Sequence, residues 1–508
     1  MLLLSLTNAT RLYNPFLELE GEFSTTIWAF DGHMIDWANM CKGFDGVLDT
    51  PVEVLHVVLL GIVKYLARDF VHHLLDAAKK EIIARLHSFD RNGVNIDLMK
   101  PKYLIRHILS IVGRDFKVIL QTAPFVFFGL MTPEQKSIWS ALCKLTPFTF
   151  QTKISDMAAY QVQLCLHVDH FLAHLIKASA QWVNKPKIHM LRHLGDSILR
   201  FGPAVIFSTE KFESFNGVVR QSSIHSNKQA PGRDIAVAFD SHACLRFVIS
   251  GGRNNDPILK TWTTASRQVT QVFHNNRNIQ RALGYNEETA KPRSPHEYPK
   301  VGGQHISGDL MDQPPQALVE LGGIYEIFQC SEVQLDKHDS IRRGFFVGFL
   351  RNDGCWLVGQ VNSLWEVVGS RRASCYVELT GFDFTGADGH YEMCGLKRTV
   401  YTAVVNAKVS LFTVNSLGQV QSLNTHSGRT LDHDLAGSIN VQHNCQLGNC
   451  PILKTKSTFM ERQETSEKTD DVVHSDHDRY IINAASLRNA ELHRLLSNMM
   501  IDPITGDQ

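Results

Sequence analysis

Residues 54–89 read VLHVVLLGIVKYLARDFVHHLLDAAKKEIIARLHSF, a run in which apolar residues recur at helical spacing. Charged residues collect after Lys64, as they do along the solvent side of a half-buried helix. The longest apolar stretch, from Val54 to Ala67, contains that lysine and is shorter than the roughly 20 residues that cross a bilayer. The run therefore predicts one or two long helices packed on a protein core and not a membrane anchor.

Similar helical patterns follow along the chain, so residues 50–250 are predicted to form an all-α domain. Proline and glycine are expected to interrupt it, because proline lacks an N–H donor and glycine is too flexible for a helix interior. The helical stretches are 102–120, 134–145, 156–184 and 187–199, and the expected breaks are Gly113, Pro124, Pro133, Pro147 and Pro186.

The pattern changes on both sides of this domain. Residues 1–49 lack periodicity and are expected to be irregular, and residues 251–318 contain a polar segment rich in proline and glycine that is typical of a linker. Short β-branched and aromatic runs in 319–415 predict a small all-β, barrel-like domain. Residues 416–508 are expected to form a partly ordered C-terminal tail with a helix at 480–496. The predicted fold class is therefore α+β with several domains.

Composition narrows the function classes. With 51 basic and 51 acidic residues, the chain has no overall field that indicates a nucleic-acid or membrane partner, so any DNA contact must be local. Ten cysteines are scattered without a paired framework, and the N-terminus lacks the charged start of a signal peptide. We expect a protein of the nucleus or cytoplasm that is neither secreted nor membrane-spanning.

Glu53 and His56 stand three residues apart near the start of the first predicted helix and hence on one face. A carboxylate beside an imidazole can orient a proton relay or hold a metal ion. An acidic residue at a helix start is also what the helix dipole favours, so a purely structural role stays open.

The segment from Lys185 to Asp234 carries the second candidate site. Ser208 or Thr209 is suited to cap a helix on which Glu210 and Glu213 lie within one turn, and a helical carboxylate can serve as one ligand of a two-metal site. From Lys177 to Asp234 the chain has nine lysines and arginines against four acidic residues. This local excess is suited either to a phosphate backbone or to a solvated helical face. The candidate DNA contacts are Lys185, Lys187, Arg192, Arg200, Arg220 and Arg233.

A third candidate site lies in the tail. His443, Cys445 and Cys450, followed by His474 or His477, supply the nitrogen and sulfur ligands that tetrahedral zinc prefers. The spacing matches no common zinc finger, so free thiols and surface histidines remain the alternative.

Several stretches resemble large basidiomycete proteins related to the CACTA and Kyakuja-Dileera-Zisupton transposases. The similarity lies in NPFLELEG (14–21), DTPVEVLHVVLLGIVKYLARD (49–69), GRDF (113–116), KPKIHMLRHLGDSILRFGPAVIFSTEKFESFN (185–216), SIHSNKQAPGRDIA (223–236), VQHNCQLGNC (441–450) and IINAASLRNAELHR (481–494). The resemblance implies an RNase H-like core with a helical insertion before the last catalytic acid, and divalent Mg²⁺ or Mn²⁺ in the ancestral reaction.

The same resemblance assigns roles to individual residues. Glu53 and His56 stand where the family has a Cys-or-Asp-x-x-His motif, with glutamate in place of the usual first residue, and Glu210 matches the last catalytic acid. In the resembling proteins, the strands that carry the first two aspartates precede this region by a few hundred residues, whereas 13 residues precede Asn14 here. Residues 22–43 also interrupt the family's pattern, as a retained intron would.

We therefore expect a transposase remnant with vestigial catalytic positions, no autonomous catalysis and no certain cofactor. Weak, non-specific binding to DNA or chromatin, self-association and contact with a related transposase are the expected interactions. The alternative is an active DDE-type transposase whose N-terminal catalytic region is missing from this gene model.

The first prediction concerns catalysis. In the presence of Mg²⁺ or Mn²⁺ the purified protein should neither nick nor join DNA, because one matching acid cannot fix two metal ions. Supercoiled plasmid and labelled duplex are the substrates to use. Metal-dependent cleavage that Glu210→Ala abolishes would overturn this expectation.

Overall fold

A computed structural model describes most of the chain, in two compact units. The larger unit consists of Pro51–Ser208 and Glu297–Gln508, and the smaller of Met1–Thr50 and Thr209–His296. The described residues are 28–30, 33–35, 49–94, 96, 99–182, 184–213, 216–226, 228–256, 260–283, 285, 298–308, 311–321, 326–336, 339–350, 355–369, 373–409, 434–443 and 478–498.

The N-terminal half of the larger unit is helical, as the apolar periodicity predicts, and we call it the helical part. The run 54–89 is divided into three helices with a turn at 73–75. The α-helices are Lys64–His72, Asp76–Ser88, Pro101–Arg106, Gly113–Val126, Pro133–Thr149, Met157–Ala178, Pro186–Met190 and Leu194–Phe201; Leu55–Val63 is a π-helix, and Phe128–Leu130, Ala180–Trp182 and Leu191–His193 are 3₁₀-helices.

Local chemistry explains where these helices begin. Thr132 accepts a hydrogen bond from the backbone N–H of Gln135, whose side chain binds back to the Thr132 N–H, and Pro133 occupies the first turn. Proline is thus a starting signal here and again at Pro186. The breaks expected at Pro124 and Pro147 lie slightly later than the prolines themselves, because both prolines occupy the last turn of a helix that ends within three residues.

A curled sheet dominates the C-terminal half of the larger unit. Its nine strands are His305–Ile306, Glu326–Cys330, Phe346–Leu350, Trp356–Val368, Ala373–Ala387, Cys394–Val409, Asp434–Ile439, Val441–His443 and Arg479–Ile482. The pairings are antiparallel except between Cys394–Val409 and Asp434–Ile439. The five strands from Phe346–Leu350 to Asp434–Ile439 pair in a ring, so the sheet closes on itself as a barrel does.

The interior of this ring is apolar. Side chains such as Val347, Phe349, Val377 and Val405 are fully buried and belong to one cluster. The three longest strands change register near Val361 and Thr380, and such irregularities bend strands and increase their twist. Alternating burial and these bends together account for the curl of the sheet.

The sheet and the helical part share a core and a network of buried amides. The ring of Tyr391 lies 5.2 Å from that of Phe125, and its side chain is 1% exposed. The Asn440 side-chain amide donates to the Asp90 carbonyl at 2.9 Å, and the Asn483 amide donates to the Gln121 carbonyl at 3.0 Å. The two parts therefore pack together as one compact unit.

The smaller unit is described by itself. Its elements are the strands Trp28–Phe30, His33–Ile35, Arg253–Asp256 and Thr261–Thr264, and the helices Glu210–Glu213, Asn216–Ile224, Pro231–Ile249, Arg267–Asn275 and Arg277–Ala282. Phe273 and Leu283 form its buried apolar cluster.

The mixed helix and sheet class is confirmed, whereas the units follow different boundaries from those drawn on the sequence. The helical pattern of 50–250 is divided at Ser208, and the expected linker 251–318 contains helices and a hairpin. The expected tail 416–508 supplies three sheet strands and the helix Ala490–Asn498. The polar composition of this segment suggested loops. It forms strands nevertheless, because these short strands gain their stability from pairing and burial. Of the helices in the described residues, none is long and apolar enough to cross a membrane.

The second prediction concerns the joint between sheet and helices. Asn483→Ala should lower the free energy of unfolding by about 1–3 kcal/mol, because the buried Gln121 carbonyl and the Asn440 side-chain oxygen both lose a donor. Chemical denaturation measures the change. Asn184→Ala, at an exposed turn of the same unit, is the control and should stay near the wild-type value. Equal stability of both variants would contradict the proposed role of the amide.

Candidate functional site

Glu53 and His56 form the hydrogen-bonded pair that their spacing predicts. The Glu53 carboxylate accepts hydrogen bonds from the backbone N–H groups of Leu55 and His56, each at 2.7 Å, and from Nδ1 of the His56 ring. The Glu53 side chain is 10% exposed and that of His56 is 39% exposed. Because the carboxylate engages Nδ1, Nε2 is the ring atom that can exchange a proton with a ligand.

The pair lies at the start of an unusual helix. Leu55–Val63 is a π-helix of nine residues. This form is rare in proteins, and the examples that occur often lie at functional sites. Within it, a Cβ atom at Gly61 would lie 2.9 Å from Cδ of Lys187. Glycine at this position therefore lets the Lys187 stem pack along the helix, and the Lys187 ammonium lies 3.5 Å from the Leu60 carbonyl.

Burial and charge act in opposite directions on Glu53. Burial raises the pKa of its carboxyl, but hydrogen bonds and the charge of His56 outweigh burial and hold the pKa below its ordinary value. The pKa of Lys187 is lowered by burial first and by the nearby charge of Lys64 second, while Glu53 opposes both effects. Glu53 is therefore a buried carboxylate that is hydrogen-bonded to the His56 imidazole and interacts electrostatically with the Lys187 ammonium.

Glu210 lies in a different compact unit from Glu53. It begins the short helix Glu210–Glu213, whose last residue donates its backbone N–H to the Thr209 carbonyl at 2.9 Å. Glu210 and Glu213 are both half-buried. The Thr209 carbonyl thus accepts the first intrahelical bond of this helix, as the carbonyl of a residue at the N-cap position does.

The candidate DNA contacts differ in exposure. Lys185, Arg192 and Arg200 are exposed on the helices that follow residue 184, and Arg220 and Arg233 are exposed in the smaller unit. Arg192 lies 3.7 Å from Asp169, and both side chains are more than 60% exposed, so this pair contributes little to stability. Lys187 is half-buried against Gly61 and is therefore the least accessible of the six to a phosphate.

A second group of cations surrounds a pocket of about 500 Å³ in the helical part. Its walls combine apolar side chains with Lys79, Lys80 and Arg106, and Asp76 is the acidic residue in the lining. Lys79 lies 3.8 Å from Asp76. This basic rim is separate in sequence from the segment that was expected to contact DNA.

The expected zinc ligands cannot be compared as a set, since Cys445, Cys450, His474 and His477 lie outside the described residues. His443 ends the strand Val441–His443, and its ring lies 5.6 Å from that of Tyr480. Another combination of metal-binding side chains converges within the described part of the chain, namely His305, Cys330 and Glu366. Sequence reasoning missed it because the three residues are far apart along the chain and share no motif.

Comparison with known protein families gives one match, which covers the C-terminal part of the chain. Residues 311–500 match a family model described as a domain of unknown function, DUF8590. The match includes the sheet strands from Glu326–Cys330 to Arg479–Ile482 and the helix Ala490–Asn498. No curated protein and no solved structure matches the chain.

The third prediction concerns the stability that Glu53 supplies. Glu53→Gln should lower the free energy of unfolding by about 1–3 kcal/mol at neutral pH, because hydrogen bonds to a charged group are removed. A depressed pKa stabilises the fold above the ordinary value of 4.5, and this stabilisation disappears as the pH falls through the lowered pKa. The difference between variant and wild type should therefore shrink on acidification.

Denaturant titrations at neutral and acidic pH measure this difference. Asp76→Asn is the matched control, because Asp76 also lies at a helix start in the same unit but its side chain is 96% exposed. A Glu53→Gln effect that is the same at both pH values would contradict the charged role of the carboxylate.

Proposed function

We propose that this chain is a remnant of a DNA transposase with an RNase H-like ancestry, which binds DNA weakly and catalyses no strand transfer by itself. The main support is the state of Glu53 and His56, the positions that resemble the family's acid-x-x-His motif. The Glu53 carboxylate is hydrogen-bonded to the His56 ring and to two backbone N–H groups at a helix start. The motif therefore stabilises the helical part.

The arrangement of carboxylates also supports the absence of autonomous catalysis. Two-metal phosphoryl transfer requires several acidic side chains that converge on the two ions. Within the described ranges, neither Glu53 nor Glu210 belongs to a converging group of metal-binding side chains. Three donors already occupy the Glu53 carboxylate.

Weak DNA binding is supported by exposed cations on consecutive short helices. Lys185, Arg192 and Arg200 are all exposed and fall within 16 residues of one another. Scattered cations of this kind attract phosphates by releasing counterions, but they do not read bases, which requires side chains aimed into a groove. We therefore propose a sequence-independent interaction that is sensitive to salt.

The fourth prediction tests this interaction. Binding to unrelated duplexes should weaken steeply with salt, and the triple variant Lys185→Gln, Arg192→Gln, Arg200→Gln should reduce the slope of log K against log salt by about 2.7, which is about 0.9 for each phosphate that is no longer neutralised. Fluorescence anisotropy over a series of salt concentrations measures both quantities. Lys187 is left unchanged because its stem packs against Gly61.

The control removes the same charge from another surface of the same unit. The triple variant Lys79→Gln, Lys80→Gln, Arg106→Gln alters the rim of the pocket and should keep the wild-type slope. An equal reduction in both variants, or selective binding that persists at high salt, would overturn the proposed location of DNA binding.

A further inference from the structure

Three strands at one end of the sheet bring metal-binding side chains to a single face. His305 pairs with Cys330 across the strands His305–Ile306 and Glu326–Cys330, and Glu366 pairs with Phe328 across the next strand. Side chains two residues apart in a strand share a face, so Phe328 and Cys330 point to the same side as their partners. One ligand atom from each of His305, Cys330 and Glu366 lies within 4.8 Å of the other two.

We propose that His305, Cys330 and Glu366 bind a zinc ion. Imidazole nitrogen, thiolate sulfur and carboxylate oxygen are the three donor types that zinc takes in proteins, with bonds of about 2.0–2.3 Å. In a tetrahedral site with such bonds, the ligand atoms are about 3.4 Å apart. Small side-chain rotations bring the converging atoms to that spacing. Neither the zinc candidate at His443 nor the proposed DNA contacts share a residue with this site.

Two members of the group are hydrogen-bonded to each other. His305 Nε2 and Glu366 Oε2 are 2.7 Å apart and share a proton. Zinc would displace that proton. The distance between the two atoms would then increase by less than about 1 Å to reach the spacing of tetrahedral ligands. The Cys330 thiol likewise releases its proton on binding, since the thiolate is the metal ligand.

Neighbouring groups already hold two of the ligands in place. The His305 ring stacks on Phe328 with a centroid distance of 4.8 Å and an interplanar angle of 12°. Cys330 Sγ lies 3.8 Å from the Phe328 carbonyl, and the Cys330 side chain is buried in the sheet core. Such support fixes the orientation of ligands and increases metal affinity.

Exposure indicates the coordination number. The side chain of His305 is 44% exposed and that of Glu366 is 17% exposed, so the group is reached from solvent at the edge of the sheet. Cys375 pairs with Glu366 across the neighbouring strand Ala373–Ala387 and therefore lies on the same face, but it is buried and its sulfur lies outside the converging group. We assign three protein ligands and a water molecule in the fourth position, the arrangement of an open zinc site.

The thiolate donor also determines which cations fit. Mg²⁺ and Ca²⁺ prefer a full set of oxygen ligands and are excluded by a mixed nitrogen, sulfur and oxygen group. Zn²⁺ fits this set, and Co²⁺ is a spectroscopic substitute with similar geometry. Binding should therefore be selective for Zn²⁺ and Co²⁺ over Mg²⁺.

The fifth prediction is that the metal-free full chain binds Co²⁺ with the near-ultraviolet band of a thiolate ligand and the visible bands of a tetrahedral ion, and that Zn²⁺ removes both. Cys330→Ser should abolish the thiolate band. His305→Gln and Glu366→Gln should each weaken Co²⁺ binding by at least about tenfold. These two side chains are partly exposed, so their variants test the site even where Cys330→Ser fails to fold.

Three further cysteine variants complete the experiment. Cys394→Ser is the matched control, because Cys394 is buried in the same sheet away from the cluster, and its spectrum should equal that of the wild type. Cys375→Ser should retain the thiolate band. A band that survives Cys330→Ser, or that only the double variant Cys445→Ser, Cys450→Ser removes, would overturn the assignment, as would the absence of Co²⁺ binding by the folded wild-type chain.

Discussion

Buried amide groups cannot leave their hydrogen bonds unmade, because burial removes water as an alternative partner. In the larger unit this constraint acts at the joint between sheet and helices, where Asn440 and Asn483 donate to backbone carbonyls of the helical part. Gln121 completes the contact by accepting from the Leu487 N–H at 2.9 Å. Apolar contacts bring the two parts together, and these directional bonds determine their register.

A buried histidine belongs to the same joint. His493 accepts a hydrogen bond from the Asn440 N–H through Nε2, and its Nδ1 lies 3.2 Å from the Asn489 carbonyl. Burial lowers the pKa of His493 to about 4, so the ring is neutral at physiological pH and can act as both donor and acceptor. The C-terminal helix is thus part of the joint, although the polar sequence before it resembles a tail.

The Glu53–His56 pair and the His305, Cys330 and Glu366 cluster differ in how far apart their residues lie along the chain. Glu53 and His56 are three residues apart, and helix geometry alone brings them together. His305, Cys330 and Glu366 come from three strands, and only the pairing register aligns them. The first cluster stabilises a helix start, whereas the second has donors that converge from separate elements, as metal sites do. Sequence spacing indicates the first cluster, and only the folded geometry indicates the second.

The sequence by itself determined the helical character of residues 54–201, the change from helices to strands after residue 319 and the Glu53–His56 pair. Each of these depends on local periodicity, capping or spacing, which act within a few residues. Tertiary structure alone decided the division at Ser208, the entry of strands Asp434–Ile439 and Arg479–Ile482 into the sheet, and the convergence of the three metal-binding side chains. These features depend on pairing and burial between distant segments, for which a short polar strand or an isolated cysteine carries no local signal.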